Sequence, residues 1–315
     1  MTDWIQIPAR SFCTMVTDGT HDSPKAQCEG RKLITSKHLK GYYIDFESAN
    51  WISEADYKKI IERSSVEQWD ILYSMIGTIG NTYLETNPSV EYACKNMGIF
   101  KFGGDKQKAL WMYYYLKSPR AKEYIHANLR GSTQSYISLG ALREMPVILP
   151  PEDERNKIVD ILHCIDLKIE TNTAINDNLQ QQAQAIYASM FIDNADPLWE
   201  QGHLSDLITV RYGKDHKKLA DGCIPVYGSG GLMRRVERPL YDKESVLIPR
   251  KGTLNNVLYI NEPFWSVDTM FYTEMRVPNV AKFIYHFVSS KDLASMNAGS
   301  AVPSMTTDIL NAMEL

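Results

Sequence analysis

The sequence predicts an α+β fold in which two similar α/β domains are separated by one long α-helix of the coiled-coil-forming kind. Three observations predict it. The chain has 315 residues, 44% of them hydrophobic, a length that suits two domains of roughly 100 to 200 residues, each able to bury a core. Residues 152–193 contain neither glycine nor proline. The segments on either side of that stretch repeat the same order of predicted elements.

The central stretch carries start and stop signals for a helix. The pair Pro150-Pro151 precedes the acids Glu152-Asp153-Glu154. Proline is favoured in a first helical turn, and acids there complement the positive end of the helix dipole. Residues 194–197 (NADP) end the pattern. The sequence therefore predicts one helix over about 151–193.

Apolar or small residues recur along this helix at alternating spacings of four and three, a heptad seam that packs against a second helix. The seam positions are Ile158, Leu162, Ile165, Ile169, Asn172, Asn176, Leu179, Ala183, Ile186 and Met190. At ~1.5 Å per residue the helix is about 60 Å long. An ordinary core helix is the alternative, but such helices usually have only about 8 to 20 residues. The length favours a rod between two globular units.

The flanking segments share a predicted strand followed by a glycine turn. Residues 70–73 lead to Gly77-Thr78, and residues 245–248 lead to Gly252-Thr253, an offset of 175. We therefore predict domains at 1–149 and 195–315, with the spacer helix at 150–194.

Two predicted helices follow in each copy. An aromatic-rich helix covers 110–116 in the first and 283–288 in the second, at an offset of 172. A short helix then ends at a capping glycine, Gly131 or Gly299, at an offset of 168. That offset also aligns Ile137, Ser138 and Leu142 with Met305, Thr306 and Leu310. The offset between the copies falls slowly from 175 to 168, as expected when loops are shortened in one copy of a duplicated domain.

The copies differ most in 13–66 and 209–243, which are rich in glycine, hydroxyl, lysine and aromatic residues. Variable loops on a shared scaffold suggest the same task performed on two different targets. A complete second copy would add a helix at about 319–361, and the sequence ends before it.

Charge and cysteine content narrow the functional classes. The net charge is −4, and the pI is near 6.0, which weighs mildly against nucleic acid as a partner. However, residues 151–195 hold 3 basic and 8 acidic residues, so the rod contributes −5 and the two flanks together +1.

No apolar run approaches ~18 residues and no secretory signature opens the chain, so we expect a cytoplasmic protein. The five scattered cysteines argue against disulfides and a cysteine-based zinc site; they are Cys13, Cys28, Cys94, Cys164 and Cys223.

Motifs for chemistry within the chain are lacking. Gly213-Lys214-Asp215 has neither the glycine spacing nor the hydroxyl of a phosphate-binding loop. Pro150-Pro151 follows Leu149 rather than the Asn or Asp of an adenine methyltransferase motif. The Asp-x-Lys triplets at 56–58, 166–168 and 215–217 have no upstream acid suited to a nuclease site, and the seven histidines lack metal-ligand spacing. We expect no catalytic residue, no metal and no bound cofactor.

The sequence resembles the specificity subunit of type I restriction-modification systems. The most specific segment is 145–162 (MPVILPPEDERNKIVDIL), continued by 166–170 (DLKIE) and Met190-Phe191. The supporting pieces, in order along the chain, are 16–21 (VTDGTH), Gly77-Thr78 with Gly80, 131–133 (GST) and 299–304 (GSAVPS). Each piece alone is weakly specific, but the occurrence of all of them in this order is strongly specific for the family.

The resemblance implies a non-catalytic DNA-binding protein of phage defence. Two target recognition domains, held apart by an antiparallel helix pair, would each read one half of a split double-stranded DNA sequence. The helices would set the gap and dock methyltransferase subunits, and an ATP-dependent restriction subunit would join outside. S-adenosylmethionine, ATP and magnesium would then bind only to partner subunits. The sequence departs from the full pattern by lacking a second spacer helix, which another chain or the rod of a dimer partner could supply.

DNA is held through phosphates by basic and small polar groups, and its base edges are read by polar side chains. Such residues cluster in the glycine-rich variable loops. The candidate contacts are Thr17, Gly19, Thr20, His21, Lys25, Lys37 and Gln134 in the first domain, and Lys214, His216, Lys217, Lys218, Tyr227, Ser229, Arg234, Arg235, Arg250 and Lys251 in the second. Arg31, Lys32, Ser36 and Lys40 belong to the same series. A solvated charged face is the alternative for any single residue.

Two other functional classes stay open at this point. The chain could be a fragment of a self-sufficient DNA methyltransferase or nuclease, which would methylate or cut DNA without an added subunit. It could also be a coiled-coil adaptor whose globular ends bind proteins, which would select no DNA sequence.

Overall fold

The computed structural model describes residues 4–296 and 303–315. The chain divides into two compact units, Met1–Thr173 and Ala174–Leu315. This division falls inside the long central helix, so each unit holds one part of it. The predicted boundaries after residues 149 and 194 treat that helix as a segment of its own and stay a prediction.

The first unit is built from short strands and helices. Its strands are β1 Ile5–Pro8, β2 Met15–Asp18, β3 Arg31–Ile34, β4 Asn50–Ile52, β5 Ile71–Ser74, β6 Thr82–Leu84, β7 Tyr92–Cys94, β8 Met97–Lys101 and β9 Pro146–Leu149. Its helices are α1 Ala9–Phe12, α2 Glu54–Ser64, α3 Lys106–Lys117, α4 Pro119–Ala127 and α5 Leu139–Glu144, with a 3₁₀ turn at Ser36–His38. One sheet has the order β2-β8-β5-β6, another β4-β3-β7, and β1 pairs with β9.

The central helix α6 spans Glu152–Ala188 and continues as a π-helical turn at Ser189–Asp193. Its first turn carries Glu152, Asp153 and Glu154, as the sequence predicts. The predicted spacer helix is confirmed. Its N-terminal part packs through Val159, which is fully buried, and Ile158 against the core of the first unit. Its C-terminal part packs through Tyr187 into a core of the second unit.

The second unit repeats the two larger sheets and the helix equivalent to α3, but its described residues 290–296 form turns where the sequence predicts a short helix. It contains α7 Leu204–Leu207, β10 Ile208–Tyr212, β11 Asp221–Gly228, β12 Gly231–Val236, β13 Ser245–Pro249, β14 Leu258–Ile260, β15 Trp265–Ser266, β16 Met270–Met275, α8 Ala281–Ser289 and α9 Thr307–Asn311. Its sheets have the orders β10-β16-β13-β14 and β12-β11-β15. Since each unit has one antiparallel four-stranded sheet and one three-stranded sheet with a parallel pair, the predicted duplication of the fold is confirmed.

Equivalent hydrogen bonds support the alignment of the copies. The Ile137 amide donates to the Met75 carbonyl at 2.9 Å, and the Met305 amide donates to the Arg250 carbonyl at 2.9 Å. Ser138 and Thr306 then cap α5 and α9 by accepting from the third residue of each helix. The offset of 168 predicted for these pairs is therefore structural.

The predicted role of Gly131 is wrong. Helix α4 ends at Ala127, and Asn128 caps it, since the Asn128 Nδ2 donates to the Tyr124 carbonyl at 2.8 Å. Gly131 lies beyond the helix at φ +89°, where an added Cβ would clash with the Gln134 carbonyl. It closes the loop that pairs Arg130 with Tyr136. The corresponding Gly299, with most of the 299–304 motif, lies outside the described residues.

Each four-stranded sheet is covered by the aromatic-rich helix that follows it. In the first unit, Phe100 is fully buried beside Leu110 and Met112 of α3. In the second, Phe271 is fully buried beside Ile284 of α8. Burying each such side chain contributes about 1.5–3 kcal/mol. The cores therefore hold the loops at the strand ends in place.

Candidate nucleic-acid interface

The turn after β2 is mostly buried, and it exposes the imidazole ring of His21. Thr17 and Thr20 are buried, and an added Cβ on Gly19 would clash with the Cys94 carbonyl, so these three residues shape the turn. His21 is the exposed member. Its Nε2 lies 2.9 Å from Asp18 Oδ2, and its Nδ1 lies 2.8 Å from Asn96 Oδ1. The ring is therefore held in one orientation at the surface.

Arg63 is a candidate that sequence reasoning missed. It lies near the end of α2, 60% exposed, and its Nη2 donates to the Gly19 carbonyl at 3.0 Å. It also lies 3.4 Å from Asp18 Oδ1. It therefore adds a cation beside His21. Its distance along the chain from the 16–21 motif left no signal in the sequence.

The other first-domain candidates lie in loops. Lys25, Lys37, Lys40 and Gln134 are exposed. Arg31 and Lys32, in contrast, have partners inside the unit: Arg31 contacts Glu54 and Glu91, and Lys32 donates to the Ala49 carbonyl at 2.8 Å. These two residues brace β3, and the exposed loop residues are the better candidates for a DNA surface.

A rigid basic turn follows β10 in the second unit. Lys214, Lys217 and Lys218 are exposed, and His216 is half-buried. The Lys214 amide donates to the Ser266 carbonyl at 2.8 Å, which ties the turn to β15. The Lys217 amide donates to Asp215 Oδ1 at 3.0 Å and lowers the pKa of that carboxyl. The turn presents three lysines on a fixed backbone.

The β11–β12 ribbon carries the aromatic and arginine candidates. Arg234 donates to the Leu219 carbonyl at 2.8 Å and to Asp221 Oδ1 at 3.1 Å, and Arg235 donates to the Cys223 carbonyl at 2.7 Å. Tyr227 OH donates to Glu262 Oε1 at 3.2 Å. These side chains therefore brace the ribbon as well as lying along its surface.

The tip of this ribbon meets the turn after β13. Ser229 lies against Gly252, and its carbonyl accepts from Asn256 Nδ2 at 2.8 Å. Arg250 donates to the Asp268 carbonyl at 3.0 Å, while Lys251 is exposed. The structure therefore brings Ser229, Arg250 and Lys251 together from loops about 20 residues apart in the sequence.

The seam of α6 is apolar and uncovered over most of its length. The exposed fractions are 36% for Leu162, 50% for Ile165, 47% for Ile169, 56% for Leu179 and 60% for Ile186, while Ile158 is half-buried. A row of exposed branched side chains on one helix is unusual for a surface that faces only water.

An apolar groove of about 300 Å³ lies beside the start of this helix in the first unit. Trp4 and Trp111 line it with their rings edge to face at 6.4 Å, together with Ile158 and Leu162. Trp111 Nε1 donates to the Ile148 carbonyl at 3.1 Å, which fixes that ring.

The matching aromatic residues of the second unit contact rings at the end of the central helix. Phe283 corresponds to Trp111 at the offset of 172, and it contacts Tyr187 at 5.6 Å and Phe191 at 4.9 Å. Trp199 lies five residues before Leu204, as Trp4 lies five before Ala9, and it contacts Phe191 at 6.0 Å. The end of α6 therefore adds aromatic contacts in the second unit, where Trp199 is 53% exposed and Phe191, Trp199 and Phe283 line a cavity of about 570 Å³.

We searched residues 4–296 and 303–315 for metal-binding groups and membrane-spanning helices. Within them, no three His, Cys, Asp or Glu side chains are grouped closely enough to hold a metal ion. No helix in the same ranges is long and apolar enough to cross a membrane.

The fold and these loops define a DNA specificity domain of the type I restriction-modification class. The chain belongs to this family, whose model, described as "Type I restriction modification DNA specificity domain", matches residues 26–181 and 198–315. The predicted resemblance is confirmed.

Two known proteins are similar to this chain. Over 135 residues, the chain is 28% identical to the type I restriction enzyme HindI specificity subunit of Haemophilus influenzae, a match that covers 42% of this chain and 29% of that protein. It also resembles the crystal structure of the type I restriction-modification S subunit from M. genitalium, with a TM-score of 0.62, 17% identity, and coverage of 99% of this chain and 84% of that one. The second likeness shows the shared fold.

Proposed function

We propose that this chain is the sequence-specific, double-stranded DNA-binding specificity subunit of a type I restriction-modification complex. It reads a target in two halves, and it directs adenine methylation or restriction that partner subunits carry out. The observation that carries the proposal is the duplicated unit, which presents different basic loops on the same scaffold in each copy.

The partners follow from that role. Methyltransferase subunits bring S-adenosylmethionine, a restriction and translocase subunit brings ATP and magnesium, and the chain itself is non-catalytic. The complex acts in the cytoplasm, where its DNA substrate lies. The family membership supports these assignments, and the absence of nuclease, phosphate-loop and methyltransferase motifs in the sequence agrees with them.

A second helix packs on the exposed seam of α6. Burying the seam residues removes apolar surface from water at about 25 cal/mol per Å², and the groove at Trp4 and Trp111 continues that surface into the first unit. A helix of another chain or the rod of a second copy fits this surface.

The exposed seam gives the partner helix a direct test. Ile165→Glu with Leu179→Glu places charge on the seam, and both positions are at least half exposed. We expect the double variant to fold normally but to lose helix-mediated association in sedimentation velocity runs, with the methyltransferase subunits present and absent. Lys157→Glu, on the same helix, is the control. Unchanged association of the double variant would contradict a role for this seam.

One selection experiment tests the proposed function. The chain and its methyltransferase subunits are mixed with random duplexes, and the bound DNA is sequenced. We expect one motif with two constant halves and an unread gap. The absence of any enriched motif and of any salt dependence would favour the adaptor alternative. Methylation of DNA by the purified chain alone, with labelled S-adenosylmethionine, would favour the enzyme alternative.

A further inference from the structure

The first unit contains a basic cleft that lies outside the predicted contact loops. It has a volume of about 510 Å³ and lies between α3, α4 and the turn that follows β5. Lys117, Lys122 and His126 line it, and its lining includes no aspartate or glutamate. No carboxylate of the described residues lies within ion-pairing distance of these three side chains. The basic side chains of the cleft therefore have no direct ion-pair partner in the described part of the chain.

Lys117 is held at the wall of the cleft by aromatic rings. Its Nζ lies 3.7 Å from the centre of the Tyr113 ring and 5.2 Å from that of Tyr42. Burial lowers the pKa of Lys117, and the carboxylates of Asp166 and Glu170 on α6 act in the opposite direction. An ammonium group in this position gains from an anion, because the rings compensate only part of its lost hydration.

The floor and rim add hydrogen-bonding groups. Tyr73 is 2% exposed, and its hydroxyl lies against Gly80 of the turn. Burial raises the pKa of Tyr73 to about 12, so the hydroxyl stays protonated and can donate. Asn81 and Thr82 also line this side, but their side chains donate within the unit, Asn81 Nδ2 to the Leu39 carbonyl at 3.4 Å and Thr82 Oγ1 to the Gly80 carbonyl at 3.0 Å. Gly41 forms the rim at the tip of a hairpin, in which the Lys40 amide donates to the Tyr43 carbonyl at 3.0 Å.

We propose that this cleft binds the phosphodiester backbone of DNA. Phosphate oxygens are bound by lysines and by neutral donors, and such contacts position a protein on DNA independently of sequence. The cleft offers both, and the exposed Lys37 and Lys40 precede its rim on the same stretch of chain. The inference rests on the proposed DNA-binding function and adds Lys117 and Lys122 to its contact surface.

The test compares lysine substitutions in the full chain on random duplex DNA. Lys122→Gln removes an exposed cation of the cleft, and Lys117→Gln removes the ring-bound one. Lys106→Gln, at the opposite end of α3, is the matched control. We expect each cleft variant to lower the salt slope of binding by about 1 and to weaken affinity at physiological salt by roughly five- to ten-fold. The control should leave both unchanged.

A second measurement reports on the cleft directly. Lysine acetylation, read by mass spectrometry, is compared with no addition, with duplex DNA, and with inorganic phosphate at the same phosphate concentration. We expect DNA to protect Lys122 and Lys117 but not Lys106, and inorganic phosphate to protect none of them. This readout needs no substitution, so it holds even if Lys117→Gln disturbs the packing of Tyr113.

The possible failures are distinguishable. Wild-type chain that does not bind DNA at all would overturn the proposed function and this inference with it. Salt-dependent binding with cleft variants equal to Lys106→Gln, and no protection of Lys122, would overturn the cleft alone. Equal protection by inorganic phosphate would make it a small-anion site and would also overturn the assignment to DNA.

Discussion

Some candidate DNA contacts, such as Arg234, also stabilise the fold through hydrogen bonds. Other candidates are exposed, so substitutions can separate DNA binding from stability. Arg234 is half-buried and bonded to the Leu219 carbonyl, whereas Lys217 extends from the 214–218 turn and is exposed. A change in DNA affinity at Arg234 therefore mixes lost contacts with a loosened ribbon.

We expect Arg234→Ala to lower the free energy of unfolding by about 1 kcal/mol, because a charge-assisted hydrogen bond is lost. It should also weaken specific DNA binding. Lys217→Ala should weaken binding while leaving the free energy of unfolding within about 0.5 kcal/mol of wild type. Urea unfolding and DNA titration of both variants check this. If Arg234→Ala binds DNA as wild type does, that residue leaves the contact list.

The buried pair of Asp70 and Lys101 gives a pH-dependent prediction. Asp70 is 1% exposed and lies 3.0 Å from Lys101 Nζ. Burial raises the pKa of Asp70, with Lys101 acting against it. Lys101→Met should cost about 3–5 kcal/mol at pH 7, because it leaves a buried carboxylate without its cation.

The pH trend has a definite sign. A raised pKa means that the folded state binds the Asp70 proton more tightly than the unfolded state does. Stability therefore falls as the pH rises from 3.8, the ordinary pKa of an aspartate, through the raised folded value. In Lys101→Met this fall should be steeper, and urea unfolding at pH 5 and pH 7 measures it. Lys108→Met, from an exposed pair with Asp105, is the control. A loss independent of pH would contradict the ion-pair account.

At the scale of elements, α6 combines buried ends with an exposed middle. Its ends are parts of the cores of the two units, while most of its predicted seam is exposed. Adjacent residues differ accordingly: Tyr187 is 6% exposed and Ile186 is 60% exposed.

We expect Tyr187→Ala to lower the free energy of unfolding by about 3 kcal/mol, because a buried aromatic side chain is lost from contact with Phe283 and His286. Ile186→Ala should change it by no more than about 0.5 kcal/mol. Thermal unfolding of the two variants compares them. Equal losses would mean that the end of α6 is not part of the second unit's core.

At the scale of the whole molecule, the length of α6 sets the gap between the two half-targets under the proposed function. Seven residues inserted after Ile175 add two turns, about 10 Å at ~1.5 Å per residue, or about three base pairs at ~3.4 Å each. We expect the bound motif to keep both halves and to widen its gap by about that amount when bound duplexes are sequenced. A ten-residue insertion, which breaks the phase of the seam, should abolish specific binding. An unchanged gap would show that the helix is not the ruler.

Much of the architecture could be predicted because its signals are local. The acids after Pro150-Pro151, and the strands before Gly77 and Gly252, depend on neighbours in the chain, and the structure has the corresponding elements. The end of α4 was misplaced because Asn128 caps it through its own side chain, which competes with a glycine cap three residues later.

The candidate site was predicted less completely than the fold. The sequence located Lys25, Lys37 and Lys217 in polar loops, where the structure leaves them exposed. It could not separate them from Arg31 and Lys32, which have the same charge but bond within the unit. Arg63 and Lys117 gave no signal, because their neighbours come from distant segments.

The sequence by itself determined the duplication, the long helix and its apolar seam, since periodicity and order along the chain are properties of the sequence alone. Only the tertiary structure decided which charged side chains have partners inside the protein and which are left exposed. It paired Asp70 with Lys101 and braced the ribbon with Arg234. It left Lys117, Lys122 and His126 around a cleft without an acid. The reason is physical: a charge acts through whatever lies within a few ångströms of it, and folding alone brings distant segments that close.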